Sequence, residues 1–88
     1  MLTIKEKIEE IIAEYTDIPP TEFYQASSFA ELNIDSLSVV EIIFDIEEAF
    51  DIKIPNEVDL EKKGFDCNSF VGVLAIVTAL VESELHDD

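Results

Sequence analysis

The residue types that most often carry catalysis are sparse in this 88-residue chain. Its one histidine, His86, lies in a charged terminal stretch, and its one cysteine, Cys67, has no second thiol with which to form a disulfide or a metal cluster. No serine, cysteine or aspartate has the base and orienting group that a nucleophilic triad needs. The paired carboxylates at residues 9–10 and 47–48 are typical of a solvated helix surface. The residues therefore predict no catalytic site and no metal site, and we expect that the protein is not an enzyme.

Ser36 is the remaining candidate for chemistry, because it falls where a helix is predicted to begin. A serine at that position is exposed beside free backbone amides and the positive end of the helix dipole, which favour an attached phosphate. The alternative is that Ser36 or Asp35 is only an N-cap, whose side-chain oxygen binds the first amides of the helix. The residue types alone allow both interpretations.

The elements before Ser36 are predicted from capping signals and helical periodicity. Thr3 and Glu6 form a capping box that opens a first helix, and Pro19 and Pro20 prevent its continuation. A long connection over residues 17–35 follows. Its spaced apolar side chains predict a loop anchored to the core at Ile18, Phe23, Phe29, Leu32 and Ile34.

The elements after Ser36 complete a helical fold. Periodicity predicts a second helix over residues 36–50, a short charged segment over 56–63 that Gly64 ends, and a final apolar helix from Asn68 or Ser69 to about Glu84. We predict an all-α fold of one domain over residues 1–88. It is a small helical bundle of three main helices plus one short helix, with a long loop between helices 1 and 2.

The second helix carries two apolar lines. One line has the spacing of a core stripe and consists of Val39, Ile42, Ile43, Ile46 and Phe50. The other line consists of Leu37, Val40 and Phe44, with acidic residues among its positions. This second line is either additional core or a surface for a partner.

Charge limits the partners that the chain can have. With 21 acidic residues against 5 lysines, the net charge is −16, which repels nucleic acid and anionic membranes and attracts basic protein surfaces. Simple solubility is the alternative explanation for this charge. The N-terminus lacks the pattern of a signal peptide, and the apolar stretch over residues 70–81 is too short to span a bilayer. We expect a cytoplasmic monomer with no stable membrane insertion.

The run Glu31-Leu32-Asn33-Ile34-Asp35-Ser36-Leu37 resembles the modification motif of acyl carrier proteins, Asp/Glu-Leu-Gly-hydrophobic-Asp-Ser-Leu, at six of its seven positions. The resemblance continues through residues 40–42, 46–50 and 54–55, and covers most of residues 1–55. It implies that a phosphopantetheinyl transferase attaches 4′-phosphopantetheine from coenzyme A to Ser36, with Asp35 important for recognition by that transferase. It also implies that the thiol of the arm carries acyl intermediates as thioesters in fatty-acid, lipid or polyketide-type biosynthesis.

The resemblance also implies roles for the two lines of the second helix. The exposed line and its acids are implied to dock on basic patches of acyl-loading and acyl-processing enzymes, through Leu37, Val40, Glu41, Phe44, Glu47 and Glu48. The inward-facing residues are candidates to line an acyl pocket or are ordinary core, and the two roles can coexist: Val39, Ile42, Ile43 and Ile46.

The sequence departs from the family pattern at three places, and the third suggests a specialised carrier rather than the housekeeping carrier of fatty-acid synthesis. Asn33 stands where glycine is usual, Phe44 stands where a smaller or more flexible residue is common, and the segment after Pro55 is longer than usual and barely matches. Asn tolerates left-handed backbone angles, so we expect the turn at Asn33 to be kept.

Two other functions are compatible with the sequence. One is an aminoacyl or peptidyl carrier, although such relatives often have Gly-Gly-x-Ser or another residue mix before the serine. The other is an unmodified acidic protein-interaction module, such as a nucleic-acid mimic. Modification of Ser36 distinguishes this last class from both carriers.

Overall fold

The computed structural model describes residues 3–86, with the side chains of residues 3–82. This part of the chain forms helices and turns, with no strand among the described residues. The four α-helices are α1 (Ile4–Ala13), α2 (Ser36–Phe50), α3 (Glu57–Lys62) and α4 (Phe70–His86), and two 3₁₀ turns lie at Pro20–Glu22 and Phe29–Leu32. The predicted all-α bundle of three main helices and one short helix is confirmed.

Short polar side chains begin the helices. In the capping box of α1, Thr3 Oγ1 accepts a hydrogen bond from the Glu6 amide at 3.1 Å, and Glu6 Oε1 accepts one from the Thr3 amide at 3.0 Å. Asn56 caps α3 through Oδ1, which accepts from the Asp59 amide at 2.9 Å. Ser69 performs this role for α4, where its Oγ accepts from the Gly72 amide at 3.0 Å.

The core lies where α1, α2 and α4 pack together, and α3 adds Leu60 to the buried set. Burial of each large apolar side chain in this core contributes about 1.5–3 kcal/mol relative to exposure. The side chains that the three long helices bury are Ile8, Ile12, Ile42, Ile46, Phe70, Val73, Ile76 and Val77.

The long connection between α1 and α2 is held by its own side chains, as the spaced apolar residues predict. Four of the five predicted anchors are buried, namely Phe23, Phe29, Leu32 and Ile34, and Ile18 is partly buried against them. Thr16 Oγ1 donates a 2.7 Å hydrogen bond to the Leu32 carbonyl, which closes the connection back on its start. The two 3₁₀ turns within it were not predicted, because turns of three or four residues are too short to show a helical period.

The segment between α3 and α4 is fixed against both the long connection and α4. Gly64 has a φ of +83° and follows α3, in agreement with its predicted role as a stop. A Cβ at Gly72 would lie 1.8 Å from the Asp66 carbonyl oxygen, so only glycine lets the segment pack this closely on α4. The amide of Phe29 donates a 2.7 Å hydrogen bond to the Asn68 carbonyl, which joins this segment to the connection that leads into α2.

None of the helices described is both long and apolar enough to cross a membrane.

Candidate functional site

The start of α2 presents Ser36 to solvent. Asp35 has extended backbone angles and caps the helix, with its Oδ1 accepting a 2.8 Å hydrogen bond from the Ser38 amide. This bond stabilises the carboxylate and holds the pKa of Asp35 below its ordinary value. Because Asp35 is the cap, Ser36 becomes the first residue of the helix and its side chain is exposed. Of the two capping assignments that the sequence left open, the structure selects Asp35.

A left-handed turn at Asn33 sets the direction in which the chain enters α2. Asn33 ends the second 3₁₀ turn with φ 62° and ψ 30°, and its amide bonds back to the Ala30 carbonyl at 3.1 Å. Ile34 then enters the core at 3 % exposure and donates its amide to the Phe29 carbonyl at 3.1 Å. Asn33 therefore adopts the turn that glycine usually provides in the modification motif, as expected from the tolerance of asparagine for these angles.

A cleft of about 560 Å³ adjoins Ser36, a volume within the range of small-molecule sites. Buried Phe29 and Ile34 form part of its lining, while exposed Ala30 and Val40 lie where it meets solvent. The complete lining is Ser28, Phe29, Ala30, Ile34, Ser36, Val39, Val40, Ile43, Glu57, Cys67 and Asn68. An exposed hydroxyl at a helix start, next to a cleft of this size, fits a phosphate-linked arm.

The cleft includes two of the four acyl-pocket candidates. Val39 and Ile43 line it, whereas Ile42 and Ile46 are fully buried in the core and do not. The difference follows from helix geometry, since one residue along an α-helix turns the side chain by about 100°. Ile42 and Ile46 therefore lie in the core, and their role in an acyl pocket stays a prediction.

The outer face of α2 is exposed and apolar, with acids at its edges. Leu37, Val40 and Phe44 are 74 %, 50 % and 61 % exposed, so the second apolar line is surface and not additional core. Glu41 and Glu48 are also exposed. We call Leu37, Val40, Phe44, Glu41 and Glu48 the outer face of α2.

Glu47 differs from the other acids that were predicted to meet partners. Its side chain is partly buried, and its Oε2 accepts a 2.7 Å hydrogen bond from the Ile54 amide. The carboxylate therefore connects α2 to the turn that leads into α3.

The 57–68 region also lines the cleft, through Glu57, Cys67 and Asn68. Cys67 is half-buried there, and burial, followed by the nearby Glu57 carboxylate, raises the pKa of its thiol. A thiol held neutral behaves as a small apolar side chain. Among the side chains of residues 3–82, no three of metal-ligating type come together.

An exposed serine at a helix start, beside a cleft on a small helical bundle, fits a domain that carries an attached group. The sequence matches the family model described as "Phosphopantetheine attachment site" over residues 6–77. It is 47% identical to the acyl carrier protein of Clostridium acetobutylicum over 53 residues, which cover 59% of this chain and 69% of that protein. It is 40% identical to the acyl carrier protein of Streptococcus pneumoniae over 63 residues, which cover 72% of this chain and 85% of that protein.

The chain belongs to the acyl carrier protein family of phosphopantetheine-bearing proteins. The family assignment that the motif suggested is therefore confirmed, as is the expectation of a carrier rather than an enzyme.

Proposed function

We propose that Ser36 bears the 4′-phosphopantetheine arm and that the chain uses it to carry acyl groups between enzymes. The observation that carries the proposal is the exposed Ser36 at the start of α2, with the capping role taken by Asp35. The matched attachment-site family and the relatives named acyl carrier protein support it. When bound, the arm supplies a terminal thiol that holds the acyl group as a thioester.

The residues around Ser36 favour the attached phosphate and keep the serine accessible. The N-terminus of the 15-residue α2 directs backbone N–H groups and the positive end of its dipole toward this position. The buried anchors Phe29, Leu32 and Ile34 hold the preceding loop against the core, which positions Ser36 at the start of α2. A phosphopantetheinyl transferase would bind the surface around Ser36, of which Asp35 is part.

The outer face of α2 is the proposed docking surface for acyl-loading and acyl-processing enzymes. Its apolar centre fits a complementary apolar patch, and its acids fit a basic rim, which speeds encounter through long-range attraction. Glu47 supports this face by holding the turn at Ile54.

The cargo that we propose is an acyl intermediate of fatty-acid, lipid or polyketide-type biosynthesis, carried by a specialised member of the family. The divergent 56–68 region supports specialisation because it supplies Glu57, Cys67 and Asn68 to the cleft. We further propose that the chain acts as a single-domain monomer over residues 1–88 in the cytoplasm.

Intact mass spectrometry tests the attachment. The wild type, Ser36→Ala and the matched control Ser38→Ala are each incubated with coenzyme A and a broad-specificity phosphopantetheinyl transferase. We expect the wild type and Ser38→Ala to gain one arm and Ser36→Ala to gain none. A folded wild-type protein that gains no mass, while a second carrier in the same reaction is modified, would overturn the proposal.

A further inference from the structure

A second, smaller cavity lies between α3 and α4. It shares no lining residue with the cleft beside Ser36, and α2 contributes none to it. Buried Leu60 and Ile76 form its inner side, and exposed Lys63 stands at its rim. We call this cavity the α3–α4 notch. Its volume is about 200 Å³, below the range of roughly 300–1,000 Å³ that holds a drug-sized molecule, so it fits one large side chain of a partner protein.

The α3–α4 notch leaves apolar surface open to water. Pro55, Phe65 and Leu80 line it and are only partly buried. Ala79 also lines it and is exposed. A large apolar side chain that filled the notch would remove this surface from water, which is favourable. A side chain seated in a desolvated pocket of this kind is the usual anchor of a protein interface.

The charge at the notch is opposite to that of the chain as a whole, which is −16. Three of the five lysines, Lys53, Lys62 and Lys63, lie in or beside the segment that forms one wall, and all three are exposed. Among the side chains of residues 3–82, the one ion pair joins Lys5 and Glu9 and involves none of these three. Their positive charge is therefore open to a partner.

The acids nearest to the notch in the sequence do not line it. Glu61 and Glu82 are exposed and lie outside its lining. The carboxylate of Asp66, which follows Phe65, accepts hydrogen bonds from the Asn68 amide at 2.9 Å and from Ser69 Oγ at 3.2 Å. Since the screening length is about 8 Å at physiological salt, more distant acids have little effect at the notch.

We propose that the α3–α4 notch is a second docking surface, for a partner protein that presents a large apolar side chain flanked by carboxylates. The apolar side chain fills the notch, and the carboxylates lie beside Lys63 and its neighbours. Ion pairs at an exposed rim add little affinity, but they select the sign of the partner's charge. The outer face of α2 has the opposite preference and shares no residue with the notch. One carrier therefore holds a partner of each kind at the same time.

Two short peptides test the chemistry of the occupant. Both have a central phenylalanine, which is flanked on each side by two glutamates in the acidic peptide and by two lysines in the basic peptide. Each is titrated into the isotope-labelled 88-residue chain at physiological salt, and the amide signals are followed by NMR. We expect the acidic peptide to shift the amides of the notch, at Leu60, Phe65, Ile76 and Leu80. The basic peptide should shift the outer face of α2 instead.

Three variants separate the notch from general charge effects. Lys63→Glu is expected to weaken binding of the acidic peptide about threefold or more, because attraction at the rim becomes repulsion. Lys7→Glu, on α1, changes the net charge equally and should bind the acidic peptide as the wild type does. Ala79→Leu adds bulk to the lining without a change of charge and should also weaken binding.

The proposal is overturned if the acidic peptide does not shift the notch, if both peptides shift it equally, or if Lys63→Glu and Lys7→Glu behave alike. Shifts of the same amides when the protein alone is concentrated would identify a second copy of the chain as the occupant, which also overturns it. The titrations use protein without the arm, so their outcome is independent of attachment at Ser36.

Discussion

The hydroxyl of Tyr15 donates a 2.5 Å hydrogen bond to Oδ2 of Asp45, which joins the turn after α1 to the middle of α2. The pKa of Tyr15 is raised to about 12, mainly by the hydrogen bond to the Asp45 carboxylate and secondly by burial. Helix α2 carries Ser36 at its start, so this bond helps to set the orientation of the attachment site relative to α1.

Tyr15→Phe is expected to lower the free energy of unfolding by about 1 kcal/mol at neutral pH, the net value of one hydrogen bond. Because the folded pKa of Tyr15 is raised above its unfolded value of 10.0, this contribution is complete below pH 10 and is lost as pH rises toward 12. Urea unfolding of both proteins as a function of pH measures the difference between them. Tyr24→Phe, at the exposed tyrosine, is the control. A wild-type advantage that persists undiminished to pH 12 would contradict the assignment.

Glu47→Ala is expected to loosen the turn after α2. Loss of the hydrogen bond from the Ile54 amide leaves that amide without its partner, so its hydrogen exchange should accelerate by up to about tenfold. Exchange measured by NMR checks this at a single residue. Glu48→Ala removes an exposed acid of the same type and should leave the Ile54 amide unchanged. Equal exchange in the two variants would show that the carboxylate of Glu47 does not hold the turn.

Asn33→Ala is expected to destabilise the turn before Ser36. A left-handed conformation costs an ordinary L-residue about 1–2 kcal/mol, and Asn33 has a φ of 62°. Asn33→Gly should keep the wild-type stability or exceed it, because glycine adopts these angles without a Cβ clash. Thermal unfolding of the three proteins measures the order of stability. If Asn33→Ala is as stable as Asn33→Gly, the residue does not adopt a left-handed conformation.

Phe44→Ala is expected to weaken docking without weakening the fold. The side chain is 61 % exposed at the centre of the outer face of α2, and truncation of an aromatic anchor often costs an interface a factor of about ten or more. The measurement is the apparent KM of a phosphopantetheinyl transferase for the carrier, together with its melting temperature. Val71→Ala, at an exposed apolar residue of α4, should leave the KM unchanged. An unchanged KM for a folded Phe44→Ala would locate docking elsewhere.

Added salt is expected to raise the melting temperature. The net charge is −16, and the residues described form a single ion pair, between Lys5 Nζ and Glu9 Oε2 at 3.7 Å. Between about 0.01 and 0.15 M salt the screening length falls from about 30 to 8 Å, which removes more repulsion than attraction. Calorimetry across this range checks the effect. A melting temperature that is constant or falls with salt would contradict it.

Local signals in the sequence predicted the fold class and the position of the candidate site. The capping box at Thr3 and Glu6, the stop at Gly64 and the stripe of α2 act over a few residues, so they can be read directly from the order of residues. Periodicity over residues 36–50 likewise placed Ser36 at the start of a helix, and the resemblance of the run from Glu31 to Leu37 to a family motif implied attachment there.

Contacts between distant segments decided the rest. The burial of Ile42 beside the cleft-lining Ile43 and the hydrogen bond from the Ile54 amide to Glu47 both depend on how α2 meets its neighbours. The cleft itself exists because the backbone of Asn68 bonds to that of Phe29, 39 positions earlier in the numbering of the chain. Such a pairing leaves no periodic pattern in the sequence, since it arises only when the packed core brings the two loops together.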